Sequence, residues 1–202
     1  MEALDEAFRR TGSHSCMIWT DREIKLALDK RTLIIDPPPA DEAFASTSVD
    51  LTLDPILSEF RKAETDRYFD PGRPGYSLDK ILAEETVRVE ITDANRYELV
   101  PGKLVLAWTA EYIDLRSSPR PAARVEGKSS LGRLGLGVHI TAPTIHAGFE
   151  GRIRLEMMNH GQIPIRLRAG MRICQLIFEQ TLGTPEKGYR GIFSGQNTNS
   201  TL

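Results

Sequence analysis

The sequence predicts a mainly β protein, a distorted jelly roll or β-barrel with a few short helices. Two segments alternate polar and apolar residues with period two, S-V-D-L-T-L at 48–53 and V-R-V-E-I at 87–91, the pattern of strands with one buried face. The 12 prolines are spread along the chain and shut out long helices. The remaining apolar runs are short and bounded by turn residues, and many short strands between turns build barrels and jelly rolls.

Residues 1–17 read as an N-terminal arm. Thr20 and Glu23 have the T-x-x-E spacing of a capping box, and Ile24, Leu26, Ala27 and Leu28 give the helix that follows an apolar side. That helix is expected to end near Lys30, ahead of a short strand at 33–35 that Asp36-Pro37-Pro38-Pro39 stops. A strand at 48–53 precedes a charged, turn-rich stretch, 58–80, that reads as a surface excursion. Strands are expected at 87–91, 97–100 (closed by Pro101-Gly102) and 104–108, then at 137–141, 152–158, 163–167 and 171–178. Residues 18–182 thus form the domain, and 183–202, rich in Gly, Ser, Asn and Thr, a flexible C-terminal flap.

A chain of 202 residues and 22.6 kDa is long enough for one domain with a real core. With 26 Lys and Arg against 28 Asp and Glu, it lacks the basic excess of a duplex-DNA binder, so no nucleic-acid partner is expected. Apolar residues make up 40% and charged ones 27%, and mean hydropathy is −0.30, ordinary values for a soluble globular chain. The two cysteines, Cys16 and Cys174, form no C-x-x-C, which excludes a thiolate zinc cage and suits a reducing, cytoplasmic compartment. The first fifteen residues carry charges where a signal peptide is apolar, and no run approaches a membrane span.

Two places could carry chemistry. Six of the 16 glycines lie from Gly127 to Gly151, and within that segment Lys128, Ser129, Ser130 and Arg133 put two cations and two hydroxyls into six residues. Such a cluster suits a polyphosphate, although G-x-x-x-x-G-K-[ST] is absent and a solvated glycine-rich turn has the same composition. The second place is R-I-R-L-E-M-M-N. On a strand, Ile153, Leu155 and Met157 share one face, and Arg154, Glu156 and Met158 the other. A carboxylate in a partly apolar setting can trade protons, whereas a surface strand would show an Arg–Glu pair. His139, opposite Val138 and Ile140, reads as a structural histidine, and His146, after Pro143-Thr144-Ile145, stands where it either reaches a ligand or does not. No metal-ligand spacing occurs.

The order of S-V-D-L at 48–51, K-S-S-L-G-R-L-G at 128–135, V-H-I-T-A at 138–142, H-A-G-F-E-G at 146–151, L-E at 155–156, R-A-G-M-R-I-C-Q-L at 168–176, and G-Y-R-G and S-G-Q near the end closely resembles the dCTP deaminases of the dUTPase superfamily, over roughly residues 17–198. The resemblance implies a dUTPase-like jelly roll, a homotrimer with active sites built from more than one chain, and conversion of dCTP and water to dUTP and ammonia. It implies that Glu156 is the catalytic carboxylate, that Ser129 and the Ala142 carbonyl hold the attacking water, and that Arg133 orients the site. Lys128, Ser130, Leu131, Gly132, His146, Gln175, Tyr189 and Gln196 match nucleotide-binding positions, and Arg154, Leu155 and Glu156 run along the base. Mg²⁺ is expected with the triphosphate, since it favours phosphate oxygens, and dTTP as an inhibitor at the same pocket. The H-x-E and P-C-x-x-C of zinc deaminases are absent, so the deamination expected here uses a positioned carboxylate.

Three positions depart from the family pattern: Lys128 stands for the usual Arg, His146 for a frequent Asp, and Ile192 lies where a Lys-Tyr pair is common, with Lys187 or Arg190 near enough to substitute. Two rival readings follow, a dUTPase or bifunctional, dUMP-forming deaminase, and a non-catalytic nucleotide-binding regulator. Retention of Ser129, Arg133 and Glu156 argues against the regulator.

Overall fold

Strand β4 (Ser48–Phe60) organises the molecule, because its two halves serve two different parts of one curled sheet. In the computed structural model, residues 17–62, 66–116, 121–183, 185–186 and 195–198 are described. The first half of β4 pairs with β13 (Arg172–Gln180), the second with β5 (Thr86–Glu90), and both with β7 (Leu104–Asp114). The switch occurs at Pro55, which cannot donate a ladder bond, and the register against β7 slips between Leu53 and Leu57. Asp54 Oδ1 accepts the Ile56 N–H at 2.8 Å and caps the break. A proline that a sequence rule reads as a strand end therefore sits inside a 13-residue strand, at a bulge.

Among the described residues the sheet has eleven strands. Its main path runs β10 (Thr144–Ile145), β8 (Pro121–Gly127), β13, β4, β7, β11 (Glu150–Asn159) and β9 (Leu136–Val138). Short strands β1 (Met17–Ile18), β2 (Ile34–Asp36) and β3 (Phe44–Ala45) pair with β13, β7 and β4. A two-stranded sheet of β6 (Tyr97–Leu99) and β12 (Ile165–Leu167) stands apart. The curl brings β9 back towards β8, where a Cβ on Gly127 would lie 3.9 Å from the Val138 carbonyl. The enclosed core includes Leu51, Leu53, Leu57, Ile113, Leu155, Leu176 and Phe178, and Trp19 stacks on Phe178 at 5.8 Å.

Among the described residues three α-helices complete the fold: α1 (Asp21–Asp29), α2 (Leu78–Glu85) and α3 (Ser129–Gly132). The first begins and ends as its sequence predicts, but the Thr20 hydroxyl donates to the Glu23 carboxylate and makes no cap to a backbone N–H. Helix α2 and the continuation of β4 to Phe60 take up both ends of the expected 58–80 excursion. Strand β8 and helix α3 were not expected. The alternating 48–53 segment is buried on both faces at Ser48, Val49, Asp50 and Leu51: Val49 and Leu51 enter the core, while Ser48 bonds Gln175 and Asp50 pairs with Lys128 on the other face. The expected 1–17 arm lies outside the described residues except for Met17, which pairs with Gln180.

Candidate active site

Strand β11 presents the alternation read from its sequence. Ile153, Leu155 and Met157 are buried in the core, and Arg154, Glu156 and Met158 line the opposite face. Leu155 therefore offers a ligand only its backbone. Across to β7, Glu156 faces Leu106 and Arg154 faces Trp108. The Arg154 guanidinium lies 4.5 Å from the centre of the Trp108 ring, and its Nη2 donates to Ser58 Oγ at 3.0 Å. Burial pushes the Arg154 pKa down to about 10, against the opposing pull of the Glu156 carboxylate. The simple Arg154–Glu156 ion pair does not form; the charged-group contact of Glu156 is with His139.

His139 does not continue a strand as its sequence position predicts. Strand β9 stops at Val138, and His139 adopts φ +58°, in the left-handed region that side chains other than glycine seldom occupy. That turn aims it back at β11. Its backbone N–H donates to the Glu156 carbonyl at 2.7 Å, and Nδ1 comes within 3.4 Å of Glu156 Oε2. Neither Nδ1 nor Oε2 is aligned for a hydrogen bond, and both are closed off from solvent. Nε2 lies 3.1 Å from the Ala142 carbonyl, and Ala142 itself has φ +53°. A carbonyl only accepts, so Nε2 carries the donated proton. His139 thus bridges the two groups, Glu156 and the Ala142 carbonyl, expected to act on one water.

Helix α3 closes the glycine-rich segment into a single turn, with Gly132 N–H donating to the Lys128 carbonyl at 2.8 Å. Ser129, Ser130, Gly132 and Arg133 are exposed on it, and Leu131 anchors it against the core. The Lys128 ammonium pairs with the buried Asp50 carboxylate, which Arg172 also approaches at 3.6 Å. Beside them, Gln175 accepts the Ser48 hydroxyl proton at 2.8 Å and donates to the Gly127 carbonyl at 3.3 Å, tying β4 to β8. His146 is exposed in a turn closed by the Phe149 N–H on its carbonyl, 3.0 Å. Among the described residues no hydrogen bond or ion pair joins the 128–133 cluster to Glu156.

Part of the C-terminal segment docks on β11. Arg152 N–H donates to the Gln196 carbonyl at 2.9 Å, and the Gln196 side-chain amide donates to the Arg152 carbonyl at 2.8 Å. Gly151 makes room with φ +137°, since a Cβ there would sit 3.0 Å from the Gln196 carbonyl. Arg88 Nη1 donates to the Thr198 carbonyl at 3.3 Å. Tyr189, Lys187, Arg190 and Ile192 lie outside the described residues. Sequence reasoning missed Ser58, Trp108 and the bridging role of His139. The first two come from distant strands, and no local signal marks them. No cluster of His, Cys, Asp or Glu able to hold a metal ion occurs among the described residues.

A profile of the dCTP deaminase-like family matches residues 18–181. The chain belongs to the dCTP deaminase-like family. It is 40% identical over 176 residues to a dCTP deaminase of Shewanella frigidimarina, covering 84% of this chain and 87% of that protein. It is 38% identical over 172 residues to a dUMP-forming dCTP deaminase of Methanosphaera stadtmanae, covering 85% and 83%. The crystal structure of a 2′-deoxycytidine 5′-triphosphate deaminase from Agrobacterium tumefaciens superposes with a TM-score of 0.64 at 23% identity, over 83% of this chain. The chain spans 49% of that solved chain, and this likeness shows the same mainly β fold. Among the described residues no helix is long and apolar enough to cross a membrane.

Proposed function

We propose that this chain is a hydrolase that deaminates dCTP to dUTP and ammonia, in pyrimidine deoxynucleotide synthesis. The observation that carries the reading is the Glu156 carboxylate: Oε2 is buried, lacks a hydrogen-bond partner, and is bridged through His139 to the Ala142 carbonyl. An unsatisfied buried acceptor is costly and is retained where a substrate or water completes it.

In this mechanism Ser129 and the Ala142 carbonyl hold a water against the amino-bearing carbon of cytosine. Glu156 takes a proton as the water oxygen bonds to that carbon. It delivers one proton to the ring nitrogen and helps a second reach the amino group, which leaves as ammonia when the carbon–nitrogen bond breaks. Arg133 orients the site. Lys128, Ser130, Leu131, Gly132, His146, Gln175, Tyr189 and Gln196 hold the nucleotide, whose triphosphate brings Mg²⁺ with it. Within one chain no described hydrogen bond or ion pair joins the 128–133 cluster to Glu156, and the homotrimer implied by the resemblance, with sites drawn from more than one subunit, would bring them together. Residues 183–202 act as the flap over the bound nucleotide, dTTP competes for the same pocket, and the enzyme works in the cytoplasm.

Incubation with dCTP, dUTP, CTP and dCMP in Mg²⁺, with ammonia and nucleotides resolved by chromatography, tests the reading. Ammonia from dCTP alone is expected, and a protein that binds dCTP without releasing ammonia is a regulator instead. The likeness to the dUMP-forming enzyme of Methanosphaera stadtmanae favours a second reading, in which dUTP is hydrolysed further. Pyrophosphate and dUMP among the products distinguish it.

A further inference from the structure

The C-terminal segment meets β11 where β9 leaves its edge open. Strand β9 covers only Met157–Asn159 of that edge. At the other end, Gly195 N–H donates to the Glu150 carbonyl at 2.9 Å, Arg152 exchanges two hydrogen bonds with Gln196, and a parallel bridge joins Gly151 to Gln196. Gln196 is 7% exposed, and its Oε1 is shut off from solvent without a donor. A polar side chain seated this firmly, with one buried atom unsatisfied, is held ready for a ligand.

The seat is held from the far side of β7. That strand lies between β4 and β11, and its register against each slips once, between Leu53 and Leu57 on β4 and between Arg152 and Arg154 on β11. The Arg152 guanidinium reaches past β7 and pairs with the Asp54 carboxylate, so the two irregularities are tied to each other. Asp54 is buried, with Oδ1 on the Ile56 N–H and Oδ2 on Arg152. A slipped register loosens a strand locally, and a charge-assisted bond to a buried carboxylate takes that freedom away. The peptide groups fixed in this way are the ones that Gln196 bonds.

We propose that Asp54 and Arg152 are positioning residues: their ion pair fixes the end of β11, so that residues 195–198 dock on it in the same chain before nucleotide arrives. Gln196 then meets the nucleotide already in place, and binding does not have to order this stretch of chain first. The inference rests on the flap reading of residues 183–202 and on the nucleotide-binding role of Gln196.

Asp54→Asn isolates the pair, because the amide oxygen still accepts the Ile56 N–H while the charge that holds Arg152 is gone. On the full-length chain D54N is expected to raise KM for dCTP about 3- to 10-fold with kcat within about twofold of wild type. In a chain ending at Ser194, D54N is expected to add nothing to the KM that truncation alone produces, since Asp54 acts through the segment removed. Calorimetric Kd for dCTP replaces KM if the truncated chain does not turn over. Factors that multiply in the double variant overturn the proposal, because an Asp54 that only supports the fold acts with or without the segment. Hydrogen exchange at the Arg152 amide reads the seat without turnover. It is expected to be slow in nucleotide-free wild type and about tenfold or more faster in D54N and in the truncated chain. Wild-type exchange as fast as that of the truncated chain also overturns the proposal. Should D54N not fold, as judged by circular dichroism, Arg152→Lys, which keeps a cation for Asp54 and loses the planar fork, enters the same cycle. A wild type that exchanges slowly at Arg152 but releases no ammonia from dCTP refutes the deaminase reading and leaves the seat standing.

Discussion

His139 and Glu156 are joined twice: a 2.7 Å backbone bond runs from the His139 N–H to the Glu156 carbonyl, and the side chains approach to 3.4 Å between Nδ1 and Oε2. The first contact requires the left-handed turn at His139, and the turn places the second. Replacing His139 by Gly removes the bridge and also relieves a backbone conformation that costs about 1–2 kcal/mol for a residue with a Cβ. Stability should therefore change little, while kcat for dCTP falls about 10- to 100-fold because the carboxylate and the Ala142 carbonyl lose their fixed separation. Melting temperature and steady-state rates, measured together, check this. A stable H139G of full activity contradicts the bridge.

Glu156→Gln keeps the shape of the side chain and removes its proton chemistry. Turnover should drop by about 10²- to 10⁴-fold, the range of a positioned general acid–base. Affinity for dCTP by calorimetry should stay near wild type, since the residues proposed to hold the triphosphate are others. A mutant within a factor of about ten of wild-type turnover would show that Glu156 is not the proton carrier.

Lys128 has two partners to serve, Asp50 within the chain and the triphosphate in the proposed complex. Lys128→Met leaves Asp50 buried with only Arg172, at 3.6 Å, to compensate. Because that cation remains, the loss of stability should be about 1–3 kcal/mol, below the range for a buried charge left wholly unpaired. KM for dCTP should rise while kcat holds. Urea unfolding and initial-rate kinetics separate the two effects, and an unchanged KM removes Lys128 from the nucleotide site.

Asp114 predicts the acid side of the stability curve. Hydrogen bonds from Arg116, whose Nη2 donates at 2.7 Å and Nε at 3.0 Å, outweigh burial and hold the Asp114 carboxyl below the usual carboxylate range. The unfolded chain then takes up a proton more readily than the folded one. The stabilisation is complete above the ordinary aspartate value of about 3.9 and is lost as pH falls through the lowered folded value. Urea midpoints between neutral pH and about pH 3 should decline less steeply in Asp114→Asn than in wild type. Equal slopes would assign the acid sensitivity to other carboxylates.

Gly135 anchors the turn between α3 and β9. It has φ +93°, and a Cβ there would sit 2.4 Å from the Gly161 backbone nitrogen. Gly135→Ala should cost about 2–4 kcal/mol, from left-handed strain and from overpacking against backbone that cannot swing aside. Thermal unfolding measures it; a loss under about 0.5 kcal/mol would mean that the two glycines part easily.

The residues themselves determined the class of fold and much of the site. Period-two alternation over 152–158 places Glu156 and Arg154 together on the face away from the core, and that arrangement holds because Ile153, Leu155 and Met157 have only one apolar interior to enter. The start and end of α1, the strand at 87–91 and the Pro101-Gly102 turn were legible for the same local reason. What tertiary structure decided is non-local. Pro55 stays inside β4 because neighbouring strands hold both sides of a bulge. Ser58 and Trp108 meet Arg154 only because β4, β7 and β11 lie side by side. His139, which strand parity read as structural, turns left-handed because the neighbouring backbone of β11 offers the Glu156 carbonyl to its N–H. A hydrogen-bond partner seventeen positions away outweighs a backbone preference of about 1–2 kcal/mol, and no window of sequence around His139 contains it.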